Sequence, residues 1–155
     1  MKTFAAAVLL AFLSLNPAHA QELFKTLGEV IDKGGIKMSK DELNVVVPGT
    51  KHNSRTNAFG LRNWIHDPEG RLTAHGSVKA QGGRAMGREL DITANGTWSV
   101  IDPGLYCFTI DWNPRNPEST EKRCMIVYKL GDSYYGVASD VDKTSAQMLA
   151  FTLKK

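Results

Sequence analysis

The stretch Leu105-Tyr-Cys-Phe-Thr-Ile-Asp-Trp112 decides the fold, because a large apolar side chain occupies every second position. Successive side chains of a β-strand point to opposite faces, so this pattern predicts a strand with one buried and one exposed face. The buried face would carry Tyr106, Phe108, Ile110 and Trp112. A strand of this kind needs neighbours that alternate in the same way.

The rest of the chain supplies such neighbours. Short runs rich in β-branched and aromatic residues cover 43–47, 57–66, 71–80, 88–94, 97–101, 122–130, 133–139 and 146–153. Turn-forming residues separate them: Pro48-Gly49, Asp67-Pro-Glu-Gly70, Asn95-Gly96, Asp102-Pro-Gly104 and Gly131-Asp132. Eight or nine strands joined by short turns predict a mainly β protein. We expect an antiparallel meander closed as a small barrel or sandwich, lipocalin-like in outline.

Residues 1–20 have the composition of a cleaved secretory signal. Lys2 precedes an apolar run over 4–15, and Ala18-His-Ala20 follows as a small-residue cleavage site. The run is shorter than the ~20 residues that a membrane-spanning helix needs. Cleavage between Ala20 and Gln21 leaves one domain, 21–155, with a formal charge of +2. We expect a monomer that is periplasmic or secreted.

One short N-terminal helix is predicted over 22–33, ending at Gly34-Gly35. One face of this helix carries Leu23, Phe24, Leu27, Val30 and Ile31. We expect it to cover one end of the domain; the alternative is a helix that docks on a partner.

The chain has two cysteines, Cys107 and Cys124, and an even number in an exported protein predicts a disulfide. Pairing them sets an antiparallel register in which Thr109 faces Lys122. The disulfide would then join two neighbouring strands.

The most distinctive residues follow Asn95. They are Gly96-x-Trp98, Gly104-Leu-Tyr-Cys107, Cys124-x-x-Val127-Tyr128 and Gly131-Asp-Ser-Tyr-Tyr135. Over about residues 40–139, the chain resembles a functionally uncharacterised family of small exported proteobacterial β domains with a G-x-W strand and a cysteine pair. The resemblance implies an antiparallel β architecture and assigns no catalytic residue.

The hairpin around Asp67-Pro-Glu-Gly70 provides the candidate site. A four-residue type I turn here sets a register that places apolar residues inward, namely Leu61, Ile65, Leu72, Ala74 and Val78. The outward face then carries Arg62, Trp64, His66, Arg71 and His75. Arginine donates forked hydrogen bonds to carboxylate or phosphate, and protonated histidine adds charge below about pH 6.5. The hypothesis is an anion site that binds more tightly at about pH 5.5 than at about pH 7.5. The alternative is an ordinary solvated strand face.

A metal site at the two histidines of this hairpin is not expected. In the four-residue register His66 and His75 lie ~13 Å apart. If Gly70 forms a bulge instead, they lie on opposite faces of the sheet. Neither arrangement lets them share a zinc ion, and no cofactor is predicted.

The sequence offers little support for catalysis or for nucleic-acid binding. No nucleophile elbow surrounds Ser77, and Gly82-Gly-Arg-Ala-Met-Gly87 lacks the Lys-Ser/Thr of a phosphate loop. Residues 50–88 have a net charge of +5, but an exported chain of only +2 is a poor match to a nucleic-acid partner.

Two non-catalytic functions therefore remain. The first is a binding domain for a small or anionic ligand, at a barrel mouth near Tyr106, Trp112, Tyr134 and Tyr135. The second is a protein-interaction module, such as an inhibitor of an exported hydrolase. A small hydrolase is a third hypothesis with no assembled motif behind it.

Overall fold

The computed structural model describes residues 24, 26–56, 60–79, 89–113, 120–144 and 148–155. The predicted signal, the glycine-rich stretch 82–87 and the basic residues of 80–88 lie outside these ranges. The described elements are two helices, α1 (Leu27–Asp32) and α2 (Lys40–Val46), and nine strands. The strands are β1 (Ile36–Lys37), β2 (Lys51–Thr56), β3 (Gly60–His66), β4 (Arg71–Lys79), β5 (Glu89–Ile101), β6 (Leu105–Asp111), β7 (Thr120–Leu130), β8 (Ser133–Val137) and β9 (Met148–Lys154).

Strands β2 to β9 form a closed antiparallel barrel, which confirms the predicted fold class. Each strand pairs with the next along the chain, and β9 returns to pair with β2. The short strand β1 extends the sheet beside β7. Closure satisfies the backbone of the first and last barrel strands, which would otherwise be exposed sheet edges.

The two ends of the barrel differ. At the α2 end lie the short turns 67–70, 102–104 and 131–132, together with helix α2. Leu43 and Val47 are buried there and join the interior core cluster. At the loop end lie the connections from β2 to β3, β4 to β5, β6 to β7 and β8 to β9, of which all but the first are longer than these turns. Only the α2 end is therefore covered by a helix among the described residues.

Helix α2 replaces a strand that the sequence predicted over 43–47. Ser39 caps its N-terminus, accepting a hydrogen bond from the Glu42 backbone while the Glu42 side chain returns to the Ser39 N–H. This reciprocal capping box satisfies two backbone donors and favours a helix start. The short β-branched run that suggested a strand instead places Leu43 and Val47 on one helical face, four residues apart.

The predicted N-terminal helix is present as α1, but it begins at Leu27 and not at residue 22, and it covers the side of the barrel, not its end. A second capping box, formed by Thr26 and Glu29, begins the helix. Leu27 and Val30 pack in an outer cluster against Tyr128 and Tyr135, whose side chains point away from the interior. Among the described residues, no helix is long and apolar enough to cross a bilayer.

The predicted disulfide is confirmed, and so is the register that it implies. Cys107 is bonded to Cys124 across β6 and β7, and Thr109 pairs with Lys122. The bridge lies on the outer face, opposite the inward row that begins with Tyr106. An intact disulfide is consistent with an oxidising, exported location.

Replacing Cys107 and Cys124 with serine should lower the free energy of unfolding by about 3 kcal/mol, because the bridge closes a loop of 17 residues. Urea unfolding of the variant measures the loss, and reduced wild-type protein should behave like the variant. Non-reducing peptide mapping of the exported protein should recover the joined peptides. Two free thiols in the folded, exported protein would contradict the assignment.

Candidate functional site

The hairpin that carries the candidate residues has a different register from the one predicted with a four-residue turn. Arg62 pairs with Gly76, and His66 pairs with Leu72. Gly70 adopts a φ of +87° and donates its N–H to the Asp67 carbonyl, which makes a three-residue loop with a glycine bulge. The bulge alternative is therefore correct. The four-residue register is wrong.

This register divides the five predicted site residues between two faces. Arg62, Trp64 and His66 point into the barrel and are buried, whereas Arg71 and His75 lie on the outer surface and are exposed. The predicted shared outward face is thus wrong. His66 and His75 lie on opposite faces, as the bulge alternative required, so they cannot share a ligand.

Arg62 belongs to an ionic cluster at the loop end of the interior. We call it the mouth cluster; it consists of Arg62, Trp112, Glu121 and Arg123. Arg62 Nη1 lies 2.7 Å from Glu121 Oε2, and Arg123 Nε lies 2.9 Å from Glu121 Oε1. Trp112 donates its indole N–H to Glu121 Oε2 at 3.1 Å. Both oxygens of one carboxylate are therefore engaged.

Among the described residues of the mouth cluster, two guanidinium groups face one carboxylate. Arg62 Cζ also lies 4.7 Å from the Trp112 ring centroid, in cation–π range. Burial lowers the pKa of Arg62, and the nearby Glu121 raises it again, so this guanidinium stays protonated at neutral pH. The Arg62 side chain is 8% exposed and that of Arg123 is 54% exposed. Arg123 is thus the cation that solvent and solutes can reach.

His66 is part of a buried hydrogen-bond chain at the α2 end. Its Nδ1 lies 3.0 Å from the Thr50 carbonyl, which can only accept, so Nδ1 carries the proton. Its Nε2 then accepts from the Tyr106 hydroxyl at 2.7 Å, and Tyr106 accepts from the Trp64 indole at 3.1 Å. Burial lowers the pKa of His66 to about 4. A neutral His66 completes this chain, so the residue is structural and not an anion ligand.

His52 lies deeper, between two aromatic rings. Its ring stacks on Trp64 with centroids 3.8 Å apart and on Phe151 with centroids 4.4 Å apart. Neither ring nitrogen has a hydrogen-bond partner among the described residues. Burial lowers the pKa of His52 well below its usual 6.5, and His66 lowers it further. His52 is therefore a neutral core residue.

The prediction that four aromatic residues line a ligand-binding mouth of the barrel is wrong for the three tyrosines. Tyr106 and Tyr134 are buried within the interior core, and Tyr135 packs in the outer cluster against Phe24. Of the four aromatic residues proposed for the mouth, only Trp112 lies in the mouth cluster. Within the ranges that the structure covers, no group of three His, Cys, Asp or Glu residues could hold a metal ion.

Sequence reasoning missed Glu121 and Arg123, although a signal for them existed. The disulfide register pairs Ile110 with Glu121 and Phe108 with Arg123. Since directly opposed residues share a face, both charged residues belong to the inward face of β7.

Comparison with protein-family models, with curated proteins and with solved structures finds no match. The resemblance to exported proteobacterial β domains therefore stays a prediction.

Proposed function

We propose that this protein is an exported, non-catalytic binding domain that takes a small anionic ligand at the loop end of its barrel. The observation that carries the proposal is the mouth cluster, in which Arg62 and Arg123 converge on the single carboxylate of Glu121. Of the two described arginines, Arg123 is the one whose side chain is more than half exposed to solvent.

The geometry suits a carboxylate or a phosphate. Arg123 uses its Nε toward Glu121, while its half-exposed guanidinium can present further N–H donors in a fixed fork. Trp112 is partly buried and donates its indole N–H to the same carboxylate that holds Arg123. Glu121, held by Arg62 and the Trp112 indole, fixes the position of Arg123 before a ligand arrives, which reduces the entropy lost on binding.

The expected pH dependence changes with this assignment. The sequence hypothesis relies on protonation of His66 and His75 at about pH 5.5, but the pKa of the buried His66 is about 4 and His75 lies on the outer surface, away from the mouth cluster. The cations of the mouth cluster are arginines, which stay charged throughout this range. Affinity for an anion should therefore change little between about pH 5.5 and about pH 7.5, and should fall as salt is added.

Replacing Arg123 with Gln should weaken anion binding about tenfold or more, because it removes the accessible cation of the mouth cluster. Isothermal titration with benzoate, citrate and inorganic phosphate, each followed also by tryptophan fluorescence, measures the effect. The matched control is Arg71→Gln, which removes another exposed, ion-paired arginine, but at the α2 end.

Two results would count against this function. One is an equal loss of binding in the Arg71→Gln and Arg123→Gln variants, which would indicate a general charge effect. The other is the absence of salt-sensitive binding by all three anions to wild-type protein. Native mass spectrometry of protein purified from its own host identifies any ligand that is retained.

A further inference from the structure

Within the ranges that the structure covers, no strand pairs with one edge of the first half of β7. It pairs with β6 over Thr120–Ile126 but with β8 only over Ile126–Leu130. Strand β8 ends at Val137, and the described part of the following segment turns to the outer face. There Asp140 accepts hydrogen bonds from Lys37 and Tyr128, beside the N-terminal part of the chain. The first half of β7 therefore has one strand neighbour among the described residues.

Two observations show which backbone groups of β7 face away from β6. The Cα atoms of Cys107 and Cys124 lie 4.0 Å apart, the short spacing of a pair that does not exchange hydrogen bonds. The Cys124 N–H and C=O therefore point away from β6. A hydrogen bond agrees with this assignment. Val127 lies three residues after Cys124, so its backbone groups point the opposite way, toward the side of β7 that holds β6 and the residues following β1. There its carbonyl accepts a hydrogen bond from the Met38 N–H. Because backbone direction alternates from residue to residue, the N–H and C=O groups of Lys122 and Cys124 both point away from β6, toward the edge that β8 does not reach.

A cleft of about 420 Å³ lies beside this edge. Its apolar lining includes Met125, Val137 and Leu149, and its rim carries the exposed cations Lys122 and Arg123. An edge with unpaired donors and acceptors, next to an apolar floor, is the arrangement to which proteins add an extended peptide as an extra strand.

We propose that this edge of β7 binds an extended acidic segment of a partner protein by strand addition. The charge of the rim selects the occupant. A second copy of this chain would bring Lys122 and Arg123 against their own equivalents, and like charges across strands are destabilising. An acidic segment instead gains opposite-charge pairs with Lys122 on the outer face.

The geometry also sets the pattern of the segment. Lys122 and Cys124 point outward, and a residue directly opposite them lies on the same face and turns its own backbone groups toward β7. The acidic residues of the bound segment should therefore lie outward, beside Lys122. Their backbone N–H and C=O groups should form the hydrogen bonds to β7. The residues between them point inward over Met125 and should be apolar.

The test uses a fluorescent octapeptide of alternating glutamate and valine, with fluorescence anisotropy on the mature, disulfide-intact protein. We expect saturable binding, and binding about tenfold weaker or more when lysine replaces glutamate. Lys122→Glu should reverse this preference. Lys129→Glu, an exposed lysine of the same strand at the α2 end, should leave it unchanged. Since Lys122 is not in the mouth cluster, this result is independent of the proposed anion site.

N-methylated peptides separate strand addition from simple charge attraction. Methylation of the glutamate amides should abolish binding, whereas methylation of the valine amides should be tolerated, because those face away from β7. Equal binding of both methylated forms would overturn the proposal, as would failure of the parent peptide to bind. A wild-type dimer that is lost in the Lys122→Glu variant would assign the edge to a second copy instead.

Discussion

Acidification is expected to destabilise the barrel by about 3 kcal/mol through His66 alone, because its pKa falls from 6.5 to about 4 on folding. The unfolded chain takes up this proton at a higher pH than the folded chain does. Stability from this residue is therefore complete above pH 6.5, declines as the pH falls toward 4 and changes no further below it. The buried, neutral His52 shifts in the same direction and adds to the loss. Urea unfolding at about pH 7 and at about pH 4.5 measures the total.

The variant His66→Gln isolates the contribution of His66. Glutamine can donate to the Thr50 carbonyl and accept from Tyr106, but it does not titrate. The pH dependence of its unfolding free energy should be shallower than that of wild type by about one proton. His75→Gln is the matched control for the substitution itself, because His75 lies exposed on the outer surface. Parallel slopes for wild type and His66→Gln would show that His66 is not buried in a neutral form.

The barrel could be predicted from sequence because most of its strands alternate apolar and polar residues. Strand β2 was not predicted, since its inward residues include His52 and Ser54, whose polar character hides the alternation. Their burial depends on aromatic neighbours from distant strands, which a local pattern does not contain. The Asn95-Gly96 pair predicts a turn that divides strand β5 in two. In the structure Gly96 lies within a continuous strand, where a Cβ atom would collide with the backbone of Thr109.

The candidate site depended on the register of one hairpin, and a shift of one residue exchanges the two faces of a strand. The predicted register placed Ile65 inward because it is apolar, yet its side chain is exposed and Arg62 is inward. Hydrophobicity was misleading here because Arg62 is buried through Glu121 and Trp112, which come from a different part of the chain. Between β6 and β7, by contrast, the disulfide is a covalent constraint, and the register inferred from it is correct.

The largest single-residue effect is expected at Glu121, whose replacement with Gln should destabilise the protein by about 3 kcal/mol. Arg62 is buried against this carboxylate at 2.7 Å, and removal of one partner of a buried ion pair costs far more than the pair contributes. Glutamine keeps an acceptor for the Trp112 indole, so the loss reports mainly on charge. In the control Glu69→Gln, the lost partner of Arg71 is 72% exposed, and the change should be within about 0.5 kcal/mol.

A double variant, Arg62→Met with Glu121→Gln, tests whether the pair acts as a unit. Methionine is apolar and similar in length, so the buried charge disappears together with its partner. The double variant should regain most of the stability lost in Glu121→Gln, because replacing both members of a buried pair is often nearly neutral. It should still lose anion affinity, since Arg123 no longer has a charged carboxylate to hold its guanidinium in place. Urea unfolding and benzoate titration of wild type, Arg62→Met, Glu121→Gln and the double variant separate the two effects. Additive losses of stability in the double variant would contradict the ion-pair account of the mouth cluster.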